Sequence, residues 1–139
     1  MEIKYATGKG AIYNDALSIR LAVFVDEQQV PRELEYDDLD TQAKHWVGYV
    51  DNHPVVTIRT LPTDSGIHIQ RVATIKSARH QGYARELLNK ILQTLRPNYF
   101  YLGAQLTAVK FYEKLGFKVT GEPFMEAGIQ HQNMEINLK

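Results

Sequence analysis

The chain has no cysteine. That excludes disulfides, thiolate metal sites and a cysteine nucleophile, so any chemistry must use oxygen, nitrogen or a bound cofactor. Long apolar runs are also missing. Nothing approaches the roughly 20 residues of a membrane-spanning helix, and Met1-Glu2-Ile3-Lys4 lacks the apolar stretch of a secretion signal. Neither charge is in excess: Lys plus Arg and Asp plus Glu each number 16. Without a basic surplus the chain does not read as a nucleic-acid binder. The expectation is a cytoplasmic protein with no membrane or nucleic-acid partner and no metal.

What remains is an ordinary globular composition, 44% apolar and 23% charged over 139 residues. That length fits a single domain, residues 1–139, and area scaling buries roughly two-thirds of its surface.

Strand and helix patterns alternate along the chain. Met1 to Tyr5 reads as a strand, and Ile12, Ala16, Ile19 and Val23 recur at helical spacing up to about Val25. Asp26 to Lys44 is polar and acidic and reads as a long loop with one helical turn. Trp46–Val50, Val55–Leu61 and Ile67–Ala73 read as three strands joined by turn residues. The strongest helix spans about Gln81 to Arg96, with Ala84, Leu87, Leu88, Ile91, Leu92 and Leu95 on one stripe and Pro97 behind it. Tyr99–Leu102 reads as a strand and Thr107–Leu115 as a helix stopped by Gly116. Phe117–Phe124 and Ile129–Leu138 close the chain as a hairpin. The class is α+β with a mostly antiparallel sheet.

One turn carries chemistry. Arg79-His80-Gln81-Gly82-Tyr83-Ala84 lies between a strand and the strongest helix. A helix start offers unpaired backbone N–H groups and the positive end of the helix dipole, a setting suited to a pyrophosphate. Gly82 and the small Ala84 allow close approach of a ligand to the backbone. A P-loop is excluded because no Gly-Lys-Ser/Thr follows. A dinucleotide-binding Rossmann turn is excluded because its first glycine is absent.

At this point the sequence resembles the GCN5-related N-acetyltransferase (GNAT) family. Arg79 to Ala84 matches the family's Arg/Gln-x-x-Gly-x-Gly/Ala signature, and Ala108-Val109-Lys110-Phe111-Tyr112-Glu113-Lys114-Leu115-Gly116-Phe117 resembles its second signature. Val23 to Pro31, then Glu35, Asp37, Asp40 and His45, and Phe124 to His131 near the end, resemble the ElaA-like or YjcF-like subgroup. Ser77-Ala78 departs from the usual Pro-x-aromatic lead-in, so the loop before Arg79 is expected to take its own path.

The resemblance implies a twisted, mixed but mostly antiparallel sheet of six or seven strands, flanked by about four helices and splayed at the cofactor site. It implies transfer of an acetyl group from acetyl-CoA to the amine of a small acceptor by direct attack in a ternary complex. A CoA-binding sensor without turnover is the alternative. A homodimer is compatible with either. Tyr112 matches the tyrosine that protonates the departing thiolate. Val72, Ala73 and Thr74 are expected to pair with the pantetheine arm like an added strand, Arg79, His80, Gln81, Gly82, Tyr83 and Ala84 to hold the pyrophosphate, and Gln105 and Phe111 to meet the arm. Glu27, Glu35, His45 and His131 are the candidates for the acceptor side and the base. The acidic run from Glu33 to Asp40 points to a small cationic acceptor. Arg20, Arg59 and Arg71 fall on helix or strand positions and would need carboxylate partners, which the acidic loop could supply.

Overall fold

A computed structural model describes residues 1–139. Its strands form one sheet: β1 (Glu2–Thr7), β2 (Lys44–Val50), β3 (His53–Pro62), β4 (Ile67–Thr74), β5 (Tyr99–Gln105), β6 (Lys118–Val119), β7 (Phe124–Glu126) and β8 (Ile129–Asn137). The order is β1-β2-β3-β4-β5-β8-β6, with β7 also on β8. Because β6 and β7 follow one another along a single edge of β8, the sheet is seven strands wide. All pairings are antiparallel except β4 with β5, which α3 (Tyr83–Leu95) connects.

Helices cover both faces. The apolar stripe of α3 (Leu87, Leu88, Ile91, Leu92) packs with Trp46, Ile58, Ile69, Phe100, Leu102 and Met134, and Tyr112 of α4 (Val109–Lys114) joins this core. On the other face Ala16, Ile19 and Val23 pack on Val47, Tyr49 and Ala73.

Three local differences from the sequence pattern matter. Helix α1 (Ala11–Arg20) gives way to a π-helical stretch, Leu21–Glu27, rather than fading near Val25. Its wider turn ends with Glu27 against Arg79 and Gln28 against Gln105. The acidic loop contains α2 (Arg32–Glu35) and a 3₁₀ turn, Asp38–Thr41, which Asp37 caps by accepting from the Leu39 N–H. The strand expected over Phe117–Phe124 is broken. Gly121 turns the chain at φ 74°, and Pro123 has no N–H for a ladder. The interruption is held by the Gln132 side-chain amide, which donates to the carbonyls of Thr120 and Gly121.

Candidate active site

The parallel ladder of β4 and β5 covers only Ile67–Ile69 against Phe100–Leu102. Beyond it the two strands separate and open a cleft of about 650 Å³. Val72, Ala73 and Thr74 border it from β4 with no strand opposite them on that side. Gln105 borders it from β5, Phe111 and Tyr112 from α4, His131 from β8, and Arg79 and Ala84 from the turn into α3. Residues distant in sequence thus meet at one gap, and the gap exists because the ladder stops.

The turn itself has the expected form. A short 3₁₀ turn, Lys76–Ala78, buries Ala78 and sets the path into Arg79. His80 at φ 64° and Gly82 at φ 83° then reverse the chain, and Gly82 caps α3. The Gly82 carbonyl accepts from Glu86, as the first helical bond requires. The backbone N–H groups from His80 to Arg85 have no acceptor within the protein. Such a row of free donors at the positive end of a helix is what an anionic ligand needs. Gln81 and Tyr83 border a neighbouring hollow rather than the cleft, so their side chains lie off the cleft wall.

Arg79 is not a free charge above that turn. Its guanidinium makes a two-pronged pair with Glu27, at 2.5 and 2.6 Å, while its Nε donates to the Thr74 carbonyl at 3.0 Å. Hydrogen bonding to Arg79 holds the Glu27 carboxyl below the usual carboxylate range, and the same bonds raise Arg79. Glu27 therefore clasps the turn to the π-helical stretch instead of facing an acceptor amine.

Tyr112 is 5% exposed, and no protein group hydrogen-bonds its hydroxyl. Burial raises its pKa well above that of an ordinary phenol. The hydroxyl is thus protonated at neutral pH and unpartnered at the cleft wall. Gln105 is engaged with Gln28: its side-chain N–H donates to Gln28 at 2.8 Å, and Gln28 donates back at 3.3 Å. This amide pair joins the helix side of the cleft to β5. Gln28 sits inside the Val23–Pro31 stretch, but sequence spacing carries no sign that it would meet a residue 77 positions away.

The acidic loop proves to be architecture. Arg20 donates to Glu35 (2.6 Å) and Asp40 (2.9 Å), and Arg59 to Asp37 (2.8 Å) and Asp40 (2.9 Å). Arg71 approaches Glu35 and Asp37 at 3.2 and 3.3 Å. Burial pushes the Asp40 carboxyl up, but hydrogen bonds and charge from Arg20 and Arg59 outweigh it and hold the group below its ordinary value. Burial likewise opposes ionisation of Asp37, and Arg59 with Arg71 more than compensates. The charges of Glu35, Asp37 and Asp40 are answered by arginines, so these three carboxylates are not free to bind a cationic acceptor. Glu35 borders the cleft with its carboxylate already bound. His45 does not border it: buried under Tyr13, it donates from Nε2 to the Asp40 carbonyl at 2.9 Å. Burial lowers its pKa, leaving a neutral ring that props the cluster.

At the far wall His131 stacks against Phe124 with 5.5 Å between ring centres. Glu126, which sequence reasoning did not single out, is the exposed carboxylate beside it, 3.9 Å from His131 Nε2. Its position inside Phe124–His131 was the available signal, since a short hairpin places its ends side by side.

With this geometry established, the relatives of the chain can be compared. A profile of the acetyltransferase (GNAT) domain family matches residues 7–138. The Bacillus subtilis N-acetyltransferase YjcF is 37% identical over 124 residues, covering 86% of this chain and 89% of YjcF. The ElaA protein of Escherichia coli is 32% identical over 126 residues, 85% of this chain and 82% of its own. Its crystal structure superposes with a TM-score of 0.87 over 97% of this chain and 99% of that one. The crystal structure of a protein of Lactobacillus plantarum assigned to the N-acetyltransferases gives a TM-score of 0.90 at 32% identity, covering 99% and 98% of the two chains. The chain belongs to the GNAT acetyltransferase family, and it is an acyltransferase. Within that family it fits the group of YjcF and ElaA.

Proposed function

We propose that the protein transfers the acetyl group of acetyl-CoA to the amine of a small acceptor, by direct attack while both substrates occupy the cleft between β4 and β5. The observation that carries the reading is the set of polar groups left without partners along the cleft and the turn that borders it. These are the N–H groups of His80 to Arg85 at one end and the Tyr112 hydroxyl on the wall.

Acetyl-CoA supplies an activated thioester and a pyrophosphate handle. The free N–H row at the start of α3 binds the pyrophosphate, with Gly82 and Ala84 keeping side chains out of its way. The Glu27–Arg79 clasp fixes that turn to the helix side of the cleft. The open edge of Val72 to Thr74 takes the pantetheine arm as an added strand, between Phe111 and the Gln28–Gln105 pair. Tyr112 holds a proton at its hydroxyl and gives it to the leaving sulfur. A phenol with a raised pKa keeps that proton until a thiolate forms beside it. A sensor without turnover would use the same turn but has no need of an unpartnered buried acid.

The test is Tyr112→Phe, which keeps the ring and its packing and deletes the proton. General acid catalysis contributes ~10²–10⁴-fold. We expect kcat for thiol release to fall at least about tenfold with water as a partial substitute, and acetyl-CoA affinity to hold. A kcat within about twofold of the parent, with chemistry rate-limiting, contradicts the role.

A further inference from the structure

We propose that His131 is the general base that takes the proton of the acceptor amine, so that base and acid reach the gap from opposite faces of the sheet. The proposal rests on the acetyltransferase reading above.

The faces follow from the ladder. Met134 lies opposite Leu102, and both belong to the core that contains Tyr112. Side chains alternate along a strand, so His131 points to the other face, as does Gln105, its partner across the ladder. Both His131 and Tyr112 nevertheless line the same cleft, because the sheet is open there.

The ring is fixed in the useful tautomer. His131 Nδ1 lies 2.8 Å from the Ile129 carbonyl. A carbonyl only accepts, so Nδ1 carries the proton in the neutral ring and Nε2 keeps the lone pair. Glu126, an acceptor at 3.9 Å, has no proton to donate to that lone pair, which stays free. The ring is 8% exposed and held against Phe124. Glu126 on β7 is a charged group beside it, and Gln105 on β5 is its neutral partner across the ladder.

The other cleft histidine is disqualified by the same logic. Arg59 Nε donates to the Gln70 side-chain oxygen at 2.9 Å, which fixes the Gln70 amide with its N–H group toward His68. That group donates to His68 Nδ1 at 3.1 Å, so the His68 lone pair is occupied. Burial, with the Arg59 charge, also lowers the His68 pKa. The carboxylate of Glu35 and the guanidiniums of Arg71 and Arg79 are engaged in ion pairs.

The balance is as follows. An acceptor ammonium gives one proton to His131 Nε2 and becomes the nucleophile. As the N–C bond forms and the C–S bond breaks, the sulfur takes the Tyr112 proton. The second proton on the new amide nitrogen leaves through solvent and restores Tyr112, while His131 returns its proton to solvent.

The experiment measures initial thiol release from acetyl-CoA by the parent, His131→Asn and His131→Gln from mildly acidic to alkaline pH. Two probe amines are used: benzylamine, an ammonium at neutral pH, and aniline, already neutral there. We expect parent kcat/KM for benzylamine to rise with pH as the base in the cleft loses its proton. In both variants that rise should vanish, with a loss on the order of 10²-fold at neutral pH. For aniline the loss should stay below about tenfold, because no ammonium proton has to be removed. An equal loss for both amines, an unchanged pH profile, or failure of both variants to bind acetyl-CoA would overturn the proposal in favour of a structural role. If the parent binds acetyl-CoA but acetylates neither amine at any pH, the acetyltransferase reading fails and His131 loses its role with it.

Discussion

The Arg20–Arg59–Arg71 cluster and the β4–β5 cleft both gather polar groups, and they treat them in opposite ways. In the cluster Glu35, Asp37 and Asp40 answer the arginines, and the Tyr13 hydroxyl donates to Asp40 at 3.3 Å. In the cleft a row of backbone N–H groups, a strand edge and the Tyr112 hydroxyl have no protein partner. The N–H row lies on largely exposed backbone, where water satisfies the donors until an anion takes its place. The difference teaches that residue type is a poor guide to role here. The acidic loop looks like a cation site and is a fastener, while the functional donors are largely backbone.

The largest effect on the closed region should come from Arg59→Met, which strands Asp37 and Asp40 with one cationic partner each. Breaking a buried ion network costs about 3–5 kcal/mol, a loss of roughly 10–20 °C in Tm for a domain of this size. Once corrected for folded fraction, acetyl-CoA affinity should stay within about twofold, and a selective loss of affinity would merge the two regions into one. Acid should act next. The carboxyls of Asp37 and Asp40 are depressed in the folded state. Their contribution is therefore full above the unfolded aspartate pKa of about 3.9 and is lost as pH falls through their lower folded values. Urea midpoints should decline below about pH 4 in the parent and less steeply in Arg59→Met. The smallest effect should come from Glu27→Gln. Its pair with Arg79 is exposed, and such pairs contribute about 0.2–1 kcal/mol. Tm should move only a few degrees, with a modest rise in KM for acetyl-CoA as the turn loosens.

Much of this was legible before any coordinates. The strand–turn–helix around Gly82 follows from periodicity and a glycine in the right place, and the need of Arg20, Arg59 and Arg71 for the acidic loop follows from the cost of unpaired buried charge. The π-helical stretch was not legible, since Val23 and its neighbours fit a helical period without showing where the turn widens. Nor was the broken strand at Gly121-Glu122-Pro123, although both breakers are visible. Among the site residues, Gln28 and Glu126 act through contacts that sequence spacing does not reveal. The subgroup resemblance together with residue type points Glu27 and His45 toward the acceptor, and only geometry shows their partners to be Arg79 and Asp40.

The central claim, that the unpartnered donors before α3 exist to hold a pyrophosphate, is met most directly by titrating acetyl-CoA into Gly82→Asp by calorimetry. Gly82 sits at φ 83°, and a Cβ there would meet only the flexible end of Arg85, at 3.7 Å. Aspartate tolerates that conformation better than most residues, so Tm should fall by only a few degrees. A carboxylate set among donors meant for phosphate oxygens should weaken acetyl-CoA binding by about 100-fold or more, roughly 2.7 kcal/mol. An affinity equal to the parent's in a folded Gly82→Asp protein would contradict the account.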